Sequence, residues 1–289
     1  MKGWLQMKRW LKGLAVGLLA IGLAACGDEG NQKAESKPGT EAQNKSELTL
    51  EEVFKKAEQA NESLKSFQAD MLINQVVSVP SQNVEMDSVI NMKMDFVEEP
   101  FAMYQNMDMS MGEMGSMTTE MYITNEGIYM KNPEIEEWMK LPEDAVGDLQ
   151  GTIDASKESQ LDFSSLQEFI DDFKFEQDDK HYILKLNASG EKFGTLVQDE
   201  LESSGLLDEM NAEETEVLEN MEIHKIEYEI FIDKETFQTT AFNLVMDMDM
   251  EVEGEKMSIQ QDVQSKINKI NEIDEIKVPQ EVIDGAVEY

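Results

Sequence analysis

The sequence is poor in the residues from which most catalytic and metal centres are built, with one cysteine and two histidines in 289 residues. A single cysteine excludes an internal disulfide and a Cys-rich zinc site, and two histidines leave little for a histidine-built metal centre. Arginine occurs only at Arg9, so the rest of the chain has no guanidinium clamp for phosphate or carboxylate. Positive charge is scarce throughout: 24 Lys and Arg face 61 Asp and Glu, a formal charge of −37. That balance excludes nucleic acid as a partner, because such binding rests on neutralising phosphates with cations. No Gly-x-Ser-x-Gly elbow, His-Glu-x-x-His pair or phosphate-binding glycine loop occurs, so the expectation is a non-enzymatic protein without a cofactor. His181 and His224 stand in expected strands with no nucleophile beside them. A hydrophobic content of 40% is nevertheless sufficient for a globular core.

Long apolar runs are also missing. The longest stretch, Leu14 to Ala25, is interrupted by Gly17 and Gly22, and it falls short of the roughly 20 residues that span a bilayer. Lys2, Lys8, Arg9 and Lys12 precede it, and no acid occurs before Asp28. This is the layout of an export signal, with Met1 or Met7 as its start. It ends in Leu23-Ala24-Ala25-Cys26-Gly27, which resembles a bacterial lipobox, in which the cysteine sulfur receives a diacylglycerol and the chain is cut before it. Cys26 is therefore the expected lipidation site. Two acyl chains anchor a protein stably where one is marginal, which places the chain on the extracytoplasmic face of the cell membrane. Cleavage there removes four positive and no negative charges, taking the net charge from −37 to −41.

Residues 26–47 read as a tether with few apolar side chains, Ala34 and Ala42 among Gly, Asn, Gln, Lys, Glu and Pro38. Its typical end-to-end distance is roughly 25 Å. From Leu48 to Tyr289 the apolar pattern is continuous, so residues 48–289 are expected to form one domain. Thr49 and Glu52 form a capping box ahead of Leu50, Val53, Phe54, Ala57, Ala60 and Leu64 at helical spacing. The period then changes to 2. Phe67 to Ile73, Val84 to Phe96, Phe101 to Met111, Met117 to Ile123 and Ile128 to Met130 alternate apolar with polar residues. A middle region is expected to carry two helices, one with Leu166, Phe169, Ile170 and Phe173, the other with Phe193, Leu196, Val197 and Leu201, capped by Ser189 and closed by Gly205. A short strand, His181 to Ala188, lies between them. Three long strands follow, Ile226 to Ile232, Phe242 to Val252 and Met257 to Ile267, with turns at Asp233 to Thr236 and Glu253 to Lys256. This order predicts an α+β class with a large antiparallel sheet, one face apolar and the other acidic.

Methionine is abundant, 21 residues in all. Met107, Met109 and Met111, and again Met246, Met248 and Met250, place three thioethers on one strand face. Thioethers suit Cu(I), yet one-faced strands require the same spacing and no His or Cys stands beside them, so no metal is expected. The acids Asp247, Asp249, Glu251 and Glu253 do not fit a calcium loop, since Gly254 falls at the eighth position where the sixth is needed. Two readings of the methionines stay open: a soft lining that adapts to varied apolar partners, or filler in a packed core. The candidate lining comprises Met92, Met94, Met103, Met107, Met109, Met246, Met248 and Met250.

The lipobox at Cys26, the segment Met121-Tyr122-Ile123-Thr124-Asn125-Glu126-Gly127-Ile128-Tyr129-Met130-Lys131, Trp138-Met139-Lys140, Ile232-Asp233-Lys234-Glu235-Thr236 and Val278-Pro279-Gln280-Glu281-Val282-Ile283 together resemble an uncharacterised family of Gram-positive lipoproteins similar in fold to the LolA and LppX group. The resemblance implies a curved half-barrel sheet with helices on its concave face and a cavity for acyl chains. It implies an anchored module that binds a lipid or acylated molecule. The alternative function is an interaction or sensor module with a packed interior, offering its acidic face to an envelope protein partner.

Overall fold

The computed structural model describes residues 47–133, 135–142, 170–189, 221–252 and 254–288. The expected export signal, lipidation site and nearly all of the tether lie outside these residues, as does the expected helix from Phe193 to Leu201.

The first element is α1, Leu50–Asn61. Thr49 Oγ1 accepts from Glu52 N at 3.2 Å and Glu52 Oε2 accepts from Thr49 N at 2.9 Å, so the expected capping box is present and satisfies two amides at the helix start. Val53, Phe54 and Ala57 are buried. They pack on Phe173, Leu184, Leu186, Ile230 and Ile232, with the Phe54 ring edge-on to Phe173 at 5.3 Å. Burying Val53 and Phe54 contributes about 1.5–3 kcal/mol each.

Twelve strands among the described residues form a single open, curved sheet. They are β1 (Ser66–Val79), β2 (Val84–Val97), β3 (Ala102–Ser110), β4 (Ser116–Thr124), β5 (Gly127–Lys131), β6 (Trp138–Lys140), β7 (Phe173–Gln177), β8 (His181–Ser189), β9 (Glu222–Asp233), β10 (Thr239–Val252), β11 (Glu255–Asn268) and β12 (Val287–Glu288). Their order is β12-β6-β5-β4-β3-β2-β1-β11-β10-β9-β8-β7. All neighbours are antiparallel except β12 and β6, which run parallel. Two up-and-down meanders, β1 to β6 and β7 to β11, thus meet along β1 and β11, where Gln68 pairs with Asn268. The expected large antiparallel sheet is present.

This seam closes contacts some 200 residues apart in sequence and is tied at one end by Asn271. Its Oδ1 accepts from Lys65 N at 2.6 Å, its Nδ2 donates to Ser63 O at 3.3 Å, and its backbone N donates to Ser66 O at 2.8 Å. Asn271 adopts a φ of 55°, a left-handed conformation that asparagine tolerates better than most residues.

Two expectations need correction. Ile170 and Phe173 do not share a helix: Ile170–Asp172 is a 3-10 turn and Phe173 begins β7. Spacing of three mimicked a helix, while Phe173 and Phe175 alternate as a strand; Leu166 and Phe169 lie outside the described residues. Ser189 is the last residue of β8, opposite Lys225, and the helix it is expected to cap lies outside the described residues. The two described helices also lie on opposite faces. α1 packs on the apolar face, whereas α2, Gln280–Gly285, lays Val282 and Ile283 against Tyr129, Tyr122 and Trp138 on the other. Pro279 is the N-cap of α2, and its ring disfavours a helical conformation at Val278 before it, while three aromatic side chains outweigh the polar alternation of β4 to β6 at that corner.

Candidate functional site

In an antiparallel ladder, residues directly opposite one another point to the same side, so the register assigns every side chain to a face. One row runs Met139, Met130, Met121, Gln105, Met94, Ala69, Ile267. The next runs Thr119, Met107, Met92, Met71, Ser265, Phe242, Ile230. Beside them lie Met117, Met109, Ile90, Ile73, Val263, Leu244, Tyr228, and then Met86, Val77, Ile259, Met248, Ile223. Among the described residues, every methionine found in a strand falls on this one face. They number fifteen of the chain's 21: Met71, Met86, Met92, Met94, Met103, Met107, Met109, Met117, Met121, Met130, Met139, Met246, Met248, Met250 and Met257.

All eight candidate lining methionines therefore share a face, but not a depth. Met246, Met248 and Met250 on β10 are 5%, 4% and 2% exposed and pack with Val77, Ile226 and Ile259. Met92, Met94, Met103, Met107 and Met109 on β2 and β3 are half-buried. The two groups join through Leu244, which packs both on the β10 methionines and on the cluster of Ile73, Ile90, Phe242 and Val263 that carries Met107 and Met109.

A bulge keeps β9 in line with this face. Ile226 and Ile223 are three residues apart, an odd spacing that a regular strand would divide between faces. The register shift between Asp247 and Met248 absorbs the extra residue, so that Ile223 pairs with Met248 and Glu222 with Asp249.

Polar side chains interrupt the face at specific places. Gln75 and Gln261 pair directly across the seam and are 4% and 2% exposed. Ser265 is 2% exposed, opposite Phe242 and Met71, and its Oγ has no hydrogen-bond partner. The Tyr228 ring meets Phe242 edge-on at 5.9 Å. Burial raises the Tyr228 phenol above its ordinary pKa with no opposing hydrogen bond, although the residue is only half-buried. Sequence reasoning passed over Gln75, Gln261 and Ser265; the signal was polar residues at positions where the alternation of β1 and β11 calls for apolar ones.

The opposite face is polar. Glu222, His224 and Asp249 bring three ligand-type atoms within 4.8 Å of one another there. Asp249 is already engaged by His224 Nε2 at 2.8 Å, Lys256 Nζ at 2.8 Å and Ser258 Oγ at 2.5 Å. Burial pushes the Asp249 carboxyl up, but the hydrogen bonds from Lys256, Ser258 and His224 outweigh it and hold the pKa well below the usual carboxylate range. A cation at this point would have to displace the Lys256 ammonium, so the cluster reads as an ion-pair network. His181 is likewise partnered, by Asp178 Oδ2 at 3.1 Å. Tyr104, beside Glu120 at 3.0 Å, is pushed up to about 12 by burial and then by that carboxylate. An open recess of about 460 Å³, bordered by Asp70, Asn91, Lys93, Asn106, Asp108 and Lys266, also lies on the polar side. Among the described residues no helix is long and apolar enough to cross a membrane.

The class these features define is an open antiparallel sheet with one methionine-rich face and one acidic, ion-paired face. The chain belongs to the family of unknown function DUF6612, whose profile matches residues 49–287. No curated protein matches it. Among solved structures it is similar to the Mycobacterium tuberculosis lipoprotein LppX, at 10% identity over 78% of this chain and 96% of that one, with a TM-score of 0.34. It is also similar to a DUF1329 family protein from Desulfovibrio piger, at 7% identity over 80% of this chain and 95% of that one, with a TM-score of 0.24. A β-barrel-like DUF1849 domain from Brucella abortus is 6% identical over 71% of this chain and 99% of that one, also with a TM-score of 0.24. Likeness at this level carries nothing about ligand or activity.

Proposed function

We propose that the protein is an exported lipoprotein, anchored through Cys26 on the extracytoplasmic face of the membrane, that holds a hydrophobic ligand, a lipid or acylated molecule, against its methionine-rich sheet face without chemical turnover. The observation that carries this reading is the confinement of all strand methionines to one face, with those of β2 and β3 left half-buried. Thioether side chains have three soft torsions and adapt to irregular apolar shapes, which suits a variable chain better than Leu or Ile would. The buried methionines of β10 favour the second reading, a packed interior whose acidic face meets an envelope partner.

Native mass spectrometry of the purified protein lacking residues 1–25 separates the two. A co-purifying lipid mass supports the ligand reading; a bare protein mass together with no uptake of fluorescent acyl probes leaves the interaction module. Anchoring has its own test. Cys26→Ala is expected to move the protein from the membrane fraction to the medium or to an unprocessed precursor, and retention in the membrane at the processed size would overturn it.

A further inference from the structure

The half-buried methionines of β2, β3 and β4 are soft, oxidisable groups within reach of solvent. The one cysteine in the sequence is Cys26, the expected lipidation site, so a two-electron oxidant meets thioethers rather than a thiol. The register gathers them. Met92 stands directly opposite Met107, and Met109 directly opposite Met117, with Cβ atoms about 4.5–5.5 Å apart. Met94 follows Met92 on the same face of β2. All five are half-buried. Met71, which extends the row of Met92 and Met107 into β1, is 7% exposed, and Met246, Met248 and Met250 are 2–5% exposed.

When a thioether sulfur attacks one oxygen of hydrogen peroxide, an S–O bond forms and the O–O bond breaks. The other oxygen leaves as water with both peroxide protons, so sulfur is oxidised by two electrons and peroxide is reduced. The sulfoxide oxygen then needs a hydrogen-bond donor, and this part of the face supplies few. From the row of Phe96 to the row of Ile90, the polar side chains of β2, β3 and β4 on this face are Gln105 and Thr119, and none is charged. Thr119 Oγ1 already donates to Lys131 O at 3.0 Å. Sulfoxides there must be satisfied by water, which an apolar chain laid over them would strip away.

We propose that the half-buried methionine stripe of β2, β3 and β4, centred on Met92, Met94, Met107 and Met109, is a reversible oxidation site whose conversion to sulfoxides releases the apolar ligand while the β10 half of the core stays packed. The release rests on the ligand reading above. The place of modification rests on exposure and register alone.

The test uses the protein lacking residues 1–25, hydrogen peroxide as oxidant and a pyrene-labelled diacylglycerol as probe. After brief treatment, peptide mass mapping is expected to place sulfoxides on the stripe ahead of Met246, Met248 and Met250. The treated protein is expected to bind the probe about tenfold or more weakly, yet still to unfold cooperatively in urea. Methionine sulfoxide reductases are expected to restore the affinity to within about twofold. Replacing Met92, Met94, Met107 and Met109 together with Leu is expected to cut the peroxide-induced loss to under about threefold, measured against that variant's own untreated affinity. Sulfoxides spread evenly over both halves, undiminished binding by wild type carrying sulfoxides on the stripe, or an equal loss in the Leu variant overturns this inference alone. Should that variant fail to fold, the reductase arm decides on wild type: binding that stays lost after the sulfoxides are reduced overturns the inference. No probe binding by the untreated protein overturns the ligand reading and the release with it.

Discussion

The methionines of β10 and those of β2 and β3 occupy the same face, follow the same alternation and have the same chemistry, yet Met246, Met248 and Met250 are 2–5% exposed while Met92, Met94, Met103, Met107 and Met109 are half-buried. Alternation therefore specifies which side of a sheet a residue faces and says nothing of how deeply it is covered. The β10 half behaves as core, tied into Val77, Ile226 and Ile259. The β2 and β3 half keeps accessible thioethers on a wall that is otherwise apolar, and it is there that an acyl chain would find room. Between the halves lies the β1 and β11 seam, with Gln75, Gln261 and Ser265 buried along it.

The sharpest way to break this contrast is truncation. Met248→Ala is expected to cost about 2–5 kcal/mol, as for a buried core side chain, and Met109→Ala distinctly less, under about 2 kcal/mol. Urea unfolding of the protein lacking residues 1–25, followed by Trp138, its lone tryptophan, measures both. Equal losses would show that the two halves are packed alike.

Oxidation reads the same difference without mutation. Under brief peroxide treatment Met92, Met103, Met107 and Met109 should reach sulfoxide several-fold faster than Met246, Met248 and Met250, because oxidant access follows exposure. Peptide mass mapping measures this, and a bound ligand over β2 and β3 is expected to erase the difference. A uniform rate in the unliganded protein would contradict the assignment of depth.

The seam holds the halves in register, and its Asn271 clip is expected to be worth about 1 kcal/mol, one or two net hydrogen bonds at an exposed position. Asn271→Ala should lower the urea midpoint and speed amide exchange at Lys65 and Ser66 ahead of the rest of β1. Unchanged exchange there would mean that the clip contributes nothing.

The smallest expected effect is electrostatic and belongs to the polar face. The Asp249 carboxyl is held below its unfolded value of 3.8 by Lys256, Ser258 and His224. A depressed carboxyl contributes stability that is complete above the unfolded pKa and is lost as pH falls through the folded one. Wild type should therefore lose part of its margin over Asp249→Asn below about pH 4, and the two curves should converge in acid. A margin that persists unchanged to low pH would remove the ion-pair network as its source.

Much of the architecture was legible because its signals are local. The Thr49 and Glu52 box lies within one helical turn, the strand alternation has a period of 2, and both survive in the structure with their partners as read. The helix expected from Ile170 and Phe173 failed for the same reason, since four residues of apolar spacing suit a turn and strand as well as a helix. Short β6 and β12 and the six-residue α2 gave too few residues for any period to show.

What the sequence determined by itself is most of the one-faced strands, the capped helix, the sign of the surface charge and the side to which the methionines of β2, β3 and β10 point, all properties of neighbours in the chain; Met111, expected beside Met107 and Met109, instead falls beyond the end of β3. Only the tertiary structure decided that β1 pairs with β11, that a bulge at His224 keeps Ile223 on the apolar face, and that methionines of identical pattern divide into a buried set and an accessible one. Depth and pairing depend on residues some 200 positions apart being brought side by side, and chain closure over that span leaves no trace in local periodicity.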